Sequence, residues 1–319
     1  MTTEYHIPRE SFVAAYRRSC EKDPDFIRKK VELALKSLRS CTVCPHNCRI
    51  DRLKDERCTC QTGRCAKVSS AFPHRGEERG ISGWNGSGTI FFSCCNLKCV
   101  FCQNYELSRG REGNLVDAQQ LAESMLELQD SGCHNINFVT PSHVVPQIIE
   151  ALSIAVDQGL FIPLVYNSSA YDSIESLKLL DGLVDIYMPD VKFMDAEKSR
   201  TFMAAEDYPL RARAALREMH RQAGPLCFDG EGLAVRGVLV RHLVMPDNLE
   251  DSKEIFRFLA EEVSPDTWLN VMAQYRPAGK VQKHPDRFYS IARSLRSEEY
   301  QKALELARNA GLHRLENSS

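Results

Sequence analysis

The sequence predicts an α/β fold with a sheet of mainly parallel strands, and three observations lead there. Six short apolar, β-prone runs, at 89–93, 134–139, 161–166, 184–188, 237–244 and 267–272, alternate with helical periodicities at 117–131, 143–158, 172–181, 207–222 and 249–262. Strands separated by helices pair in parallel through right-handed crossovers. With 319 residues, 43% hydrophobic and 26% charged, the chain can bury a large core and has an ordinary globular composition. Finally, the turn-rich run Ile81-Ser82-Gly83-Trp84-Asn85-Gly86-Ser87-Gly88 leads directly into the first strand. Six βα units are too few for an eight-fold barrel.

Ahead of the first strand, residues 8–39 read as helical. Pro8 and Glu10 suit a first turn, and Phe26, Val31, Leu33, Leu35 and Leu38 recur near helical spacing. A compact cysteine-rich segment follows, from Cys41 to Cys65. There is no internal repeat and no low-complexity tract, and the last few residues are expected to fray.

A net charge of −2 gives no electrostatic reason to expect nucleic acid or an anionic membrane as partner. No apolar stretch approaches the ~18 residues of a membrane span, and Met1-Thr2-Thr3-Glu4-Tyr5 does not resemble a signal peptide. A cytoplasmic location is expected. In such a reducing compartment the clustered members of the 13 cysteines point to metal rather than to disulfides, whereas Cys20, Cys133 and Cys227 read as buried free thiols.

The most informative run is Cys95-Asn96-Leu97-Lys98-Cys99-Val100-Phe101-Cys102. The apolar stretch Thr89-Ile90-Phe91-Phe92 before it is a strand that delivers three thiolates into one short loop. Three thiolates hold three irons of a four-iron cluster and leave the fourth without a protein ligand, free to bind a substrate or cofactor. Such a cluster is reactive rather than a plain electron carrier.

The C-x3-C-x2-C spacing, with Phe101 just before the third cysteine, resembles the signature of the radical S-adenosylmethionine (SAM) enzymes. The wider text, Phe72-Pro73-His74 through Gln103-Asn104-Tyr105-Glu106, looks like the group related to pyruvate formate-lyase activating enzyme, and the likeness runs from about Cys41 to near the C-terminus. The resemblance implies a partial (β/α)6 barrel of parallel strands, with residues 1–70 as an N-terminal helix and cysteine-rich metal-binding segment and 71–319 as the barrel with a C-terminal helix. It also implies a 4Fe–4S cluster on Cys95, Cys99 and Cys102 that reductively cleaves SAM to methionine and a hydrogen-abstracting 5′-deoxyadenosyl radical. Cys94 stands where the resembled sequences have glycine and is read as a bystander.

Strand ends test this independently, because the loops at the carboxyl ends of parallel barrel strands converge on one mouth. Every one of the six ends carries polar or charged groups. Asp190 and Lys192, two apart on an extended segment, point the same way. The block Ile186-Tyr187-Met188-Pro189-Asp190-Val191-Lys192 resembles the family's at this place, which implies SAM contacts for Met188, Asp190 and Lys192; a local salt bridge is the plain alternative. Arg241 resembles the arginine that meets the SAM carboxylate by a forked contact, with a structural ion pair as its alternative. Asn167 and Ser168 match positions facing SAM, and Phe101 and Asn104 positions touching adenine. An aspartate is usual where Asn167 stands, and the glycine pair that many relatives carry at the end of strand two is here Thr140-Pro141-Ser142. His143 reads either as the first turn of the next helix or as a catalytic group.

The resemblance points to Cys41, Cys44, Cys48 and Cys60 as one four-cysteine site, and four thiolates close a metal's coordination. Zinc and an electron-relay iron–sulfur cluster remain open. The expected function is a radical SAM enzyme supplied by a flavodoxin- or ferredoxin-type donor. Its substrate is either a glycyl radical protein, which it would activate, or a small molecule. The alternative class is non-enzymatic: an iron–sulfur electron carrier with Cys94 as a fourth ligand, or a zinc-stabilised interaction protein.

Overall fold

A computed structural model describes residues 5–109 and 112–316. The readings of Met1–Glu4 as no signal peptide and of residues 317–319 as frayed lie outside the described residues. The strands are β1 (Ala66–His74), β2 (Ser87–Phe92), β3 (Asn114–Val116), β4 (Ile136–Val139), β5 (Leu164–Ser168), β6 (Ile186–Pro189), β7 (Cys227–Phe228), β8 (Ala234–Leu243) and β9 (Trp268–Met272). Helices α1 (Ala15–Lys22) and α2 (Phe26–Lys36) precede them, followed by α3 (Arg79–Ser82), α4 (Tyr105–Arg109), α5 (Ala118–Asp130), α6 (Val145–Asp157), α7 (Ile174–Leu180), α8 (Ala196–Met203), α9 (Tyr208–Ala223), α10 (Leu249–Phe258), α11 (Gly279–Lys283) and α12 (Ser297–Asn309).

Strands β2, β4, β5, β6, β8 and β9 are parallel neighbours in that order, which makes the partial (β/α)6 barrel. The sequence does not disclose the antiparallel additions. Strands β1 and β3 extend the sheet beyond β2, and β7 lies against β8. Beside β7 the backbone comes so close that a Cβ on Gly237 would lie 2.3 Å from the Pro225 carbonyl oxygen, and Gly237 has φ +121°.

The continuous helix expected over 8–39 is corrected to a short 3-10 turn, α1 and α2. The break falls at Asp23-Pro24. Proline lacks the amide a helix interior needs and pushes the residue before it to extended backbone, and Asp23 sits at φ −143°, ψ 100°. Ala14, Tyr16, Ile27, Ala34 and Leu38 enter the same buried core as Ile90, Leu152 and Ala155 of the barrel layer, with α2 packed on α6. The expected boundary at residue 70 falls inside β1.

Alternation along the strands sorts the barrel interior into levels. Val165, Ile186, Met188 and Leu239 form an apolar lower level with Ile81 of α3, which enters from below. One step up the same strands come Asn167, Asp190 and Arg241, joined by Glu77 and Glu78 from the segment before α3. The mouth lies above. Among the described residues, no helix is long and apolar enough to cross a membrane.

Candidate active site

Strand β2 ends at Phe92, Ser93 after it is fully buried, and the chain turns at Cys94, whose φ is +68°. That left-handed conformation favours glycine and swings Cys95 toward the mouth. The loop is then held on several sides. Lys98 and Val100 donate their amides to the carbonyls of Met203 and Phe202 at 3.1 and 2.8 Å, using acceptors that the last turn of α8 leaves free. Lys280 of α11 donates to Val100 O at 2.8 Å, and Asn96 Nδ2 to Tyr171 O at 3.0 Å. Cys95 Sγ accepts the Leu97 amide at 3.4 Å, and Ser108 Oγ donates to Cys102 Sγ at 3.4 Å.

Cys95, Cys99 and Cys102 line one cavity of about 250 Å³. Phe101, Asn104, Asn167, Ser168, Asp190, Lys192 and Arg241 line the same cavity. The structure thus brings together every expected site residue of the barrel except Met188, whose side chain is fully buried in the apolar level below. Burial pushes the Cys95 thiol up to about 11 and the Cys99 thiol to about 12, so both stay protonated at neutral pH unless a metal replaces the proton. The three sulfurs share the cavity with no histidine, and its one carboxylate, Asp190, is tied to Lys192 and Arg241. This donor set fits a four-iron cluster with one iron left open. Such a cluster takes one thiolate per iron and does not require the sulfurs to converge on a single point.

The charged level is a network. Arg241 Nε donates to Asp190 Oδ1 at 2.7 Å, Nη2 to Asn167 Oδ1 at 2.8 Å and Nη1 to Glu77 Oε2 at 3.2 Å. Its fork is taken by protein groups, the structural ion pair that the sequence left as an alternative. Lys192 Nζ donates to Asp190 Oδ2 at 2.9 Å and faces the Cys99 side of the cavity. Burial alone would raise Asp190, but Arg241 and Lys192 more than reverse it, to about 2. Burial also raises Glu77, against the opposing pull of Arg241. Sequence reasoning missed Glu77 and Glu78 because they precede the first parallel strand and enter the barrel from below.

Ser168 Oγ donates to the buried Asp172 at 2.7 Å, which also accepts from Tyr166 OH at 2.7 Å, so this hydroxyl braces the end of β5. Thr140 lines the cavity with φ +62° and donates its amide to Asn167 O at 2.9 Å. His143 is the last residue of a 3-10 turn and is fully buried. Its Nε2 bonds Ser93 O at 2.9 Å, and burial followed by Arg52 holds it near 3, so it stays neutral and off the cavity. His242 alternates outward to Val191 O and Ser252 Oγ.

The N-terminal cysteines sit behind the loop. Burial raises Cys44 to about 12, and the thiols of Cys60, Cys41 and Cys48 act on it as well. Cys48 and Cys58 both lie 3.8 Å from Thr59 Oγ1. Among the described residues, no three His, Cys, Asp or Glu side chains gather as the ligands of a single ion.

Fold and cavity together define a parallel-barrel protein with three thiols and a buried Asp–Lys–Arg network at the carboxyl ends of its strands. The Radical SAM superfamily profile matches residues 89–259, and the chain belongs to the radical SAM superfamily. Membership implies a 4Fe–4S cluster and SAM. The chain is similar to an uncharacterized protein of Methanocaldococcus jannaschii, 34% identical over 299 residues, with 91% of this chain and 80% of that protein covered. Among solved structures it is similar in fold to HydG, a maturase of the FeFe-hydrogenase, with TM-score 0.50 and 13% identity, covering 93% of this chain and 64% of that one. It also matches Streptococcus suis SuiB bound to the precursor peptide SuiA, with TM-score 0.45 and 13% identity, covering 67% and 43%. The chain spans less than two thirds of the length of either solved structure.

Proposed function

We propose that this cavity binds SAM beside a 4Fe–4S cluster held by Cys95, Cys99 and Cys102, and that the protein abstracts a hydrogen atom from a substrate at the barrel mouth. The observation that carries the reading is that three thiols and Lys192 face one cavity at the carboxyl ends of parallel strands. When bound, the cluster supplies the electron that divides SAM into methionine and the 5′-deoxyadenosyl radical. The chain's own residues position the cofactor. Lys192, whose Nζ donates to Asp190 alone among the described residues, offers its remaining N–H groups to the methionyl carboxylate. Asp190 accepts from ribose hydroxyls, and Arg241 holds Asp190 in place. Phe101, packed edge-on against Phe193 with ring centres 6.0 Å apart, gives adenine an apolar wall beside Asn104. A metal at Cys41, Cys44, Cys48 and Cys60 completes the cofactor set, and a flavodoxin- or ferredoxin-type protein supplies electrons.

The substrate is either a glycine of a partner polypeptide, as for a glycyl-radical activase, or a small molecule. A second cavity of about 320 Å³ shares Gln103 and Asn104 with the first and is lined by Arg276, Lys283, Tyr105 and Glu106. Its two cations, set against the one carboxylate of Glu106, favour a small anionic substrate. Reduced, reconstituted protein given SAM should release 5′-deoxyadenosine and methionine, and Cys99→Ala should release neither. Equal release by the variant would refute the role given to the three cysteines.

A further inference from the structure

Glu77 and Glu78 stand beneath the cavity without lining it, and their side chains are 9% and 6% exposed. With Asp190 they place three carboxylates around one guanidinium. Arg241 reaches Asp190 at 2.7 Å, Glu77 at 3.2 Å and Glu78 Oε2 at 3.9 Å. Lys192, the second cation of the layer, is paired with Asp190 at 2.9 Å. Fully ionised, the layer holds one carboxylate more than it has cations. A charge left uncompensated away from water is neutralised by a proton instead.

The hydrogen bonds say where that proton sits. Asn137 of β4 is fully buried and meets Glu77 Oε1 through Nδ2 at 3.4 Å, while its own Oδ1 has no partner among the described residues. A protonated Glu77 donates to that Oδ1 once the amide turns end for end, which satisfies both groups. Glu78 has no such acceptor. Its Oε1 accepts Asn270 Nδ2 at 2.8 Å, and its Oε2, without a hydrogen-bond partner, faces the Arg241 cation. Asp190 is bonded by both cations. The remaining titratable neighbour is His74 of β1, one-third exposed, with Nδ1 3.7 Å from Glu77 Oε1. Burial pushes the Glu77 carboxyl above the usual carboxylate range, in keeping with this placement.

Resting on the SAM site of the preceding section, we infer that Glu77 is a positioning residue that answers to the charge of the cofactor. It holds a proton before SAM binds and releases it when the sulfonium enters, so that the layer favours a cationic ligand over its neutral thioether counterpart. The O–H bond of Glu77 breaks, the proton passes to water at the partly exposed His74 edge, and no bond forms to the ligand. The carboxylate left behind pairs with Arg241 Nη1 from below, and Arg241 holds Asp190 against the cavity.

S-adenosylhomocysteine has the amine and carboxylate of SAM without the sulfonium charge, so the two compounds isolate it. Calorimetry of the reconstituted full chain in buffers of different ionisation enthalpy should show about one more proton released with SAM than with S-adenosylhomocysteine. Relative to S-adenosylhomocysteine, SAM affinity should rise with pH by up to about tenfold per unit. In Glu77→Gln, which keeps the shape of the protonated acid, both differences should vanish. Infrared spectra of the full chain should show a buried carboxylic acid band that SAM removes and that Glu77→Gln lacks. The band should shift in Asn137→Leu, which takes away the acceptor of its proton, and stay in place in Asn270→Leu. Equal proton release with the two compounds, or a band that persists in Glu77→Gln or shifts in Asn270→Leu alone, would overturn this inference while the SAM site stands. Failure to bind SAM at all would remove the proposed function and this inference with it.

Discussion

At the scale of single residues, Asp190 carries two cations at once. Its carboxylate is held at about 2 because Arg241 and Lys192 outweigh the cost of burial. A depressed carboxylate contributes stability that is present above its unfolded value and lost as pH falls through the folded one. Asp190→Asn should therefore destabilise the protein by about 3 kcal/mol at neutral pH, since it leaves two cations partly unpaired, and the difference should vanish toward pH 2. Denaturant titrations at both ends of that range check it. Lys192→Met removes one charge-assisted hydrogen bond, and SAM affinity measured by calorimetry should fall by about ten- to a hundredfold. A fall in turnover at unchanged affinity would place Lys192 elsewhere in the reaction.

At the scale of elements, Asp185 before β6 joins three segments. It accepts the Ala15 amide at the start of α1 at 2.7 Å and the Leu164 amide of β5 at 3.0 Å. A carboxylate there also complements the positive end of the α1 dipole. Burial nonetheless raises its pKa to about 7. Between about pH 4, the unfolded value, and about 7, the folded chain holds a proton that the unfolded chain has lost. Stability accordingly declines as pH rises through that window, and Asp185→Asn should flatten the decline in thermal melts. The six parallel strands were legible because their buried runs are rich in Val, Ile, Leu and Phe and are separated by helical periodicity. Strand β1 was not: Ala66-Lys67-Val68-Ser69-Ser70-Ala71-Phe72-Pro73-His74 is half polar, contains proline and lies outside the barrel proper. Cavity residues were legible where chemistry and strand ends coincide, as for Asp190 and Lys192. Glu77, which lies beneath the cavity, was not, because it acts through Arg241, far away in the chain.

At the scale of the whole molecule, the N-terminal segment shares the barrel's core rather than standing apart from it. Ala34, Leu38 and Val43 are buried with barrel residues, and Ser173 and Ser176 Oγ donate to Val43 O at 3.2 and 2.7 Å. A chain starting at residue 66 would expose the face of α6 that α2 covers, and it should fail to show the single cooperative unfolding transition expected of the full chain by circular dichroism. The cysteine loop itself leans on that segment through His46 and Asn96, so the reactive site is a property of the assembled molecule. Electron paramagnetic resonance of the anaerobically reconstituted, reduced protein with and without SAM tests the central claim most directly. The account predicts a four-iron signal that changes when SAM is added, and this SAM-sensitive signal is absent from Cys99→Ala. A signal identical with and without SAM would contradict it.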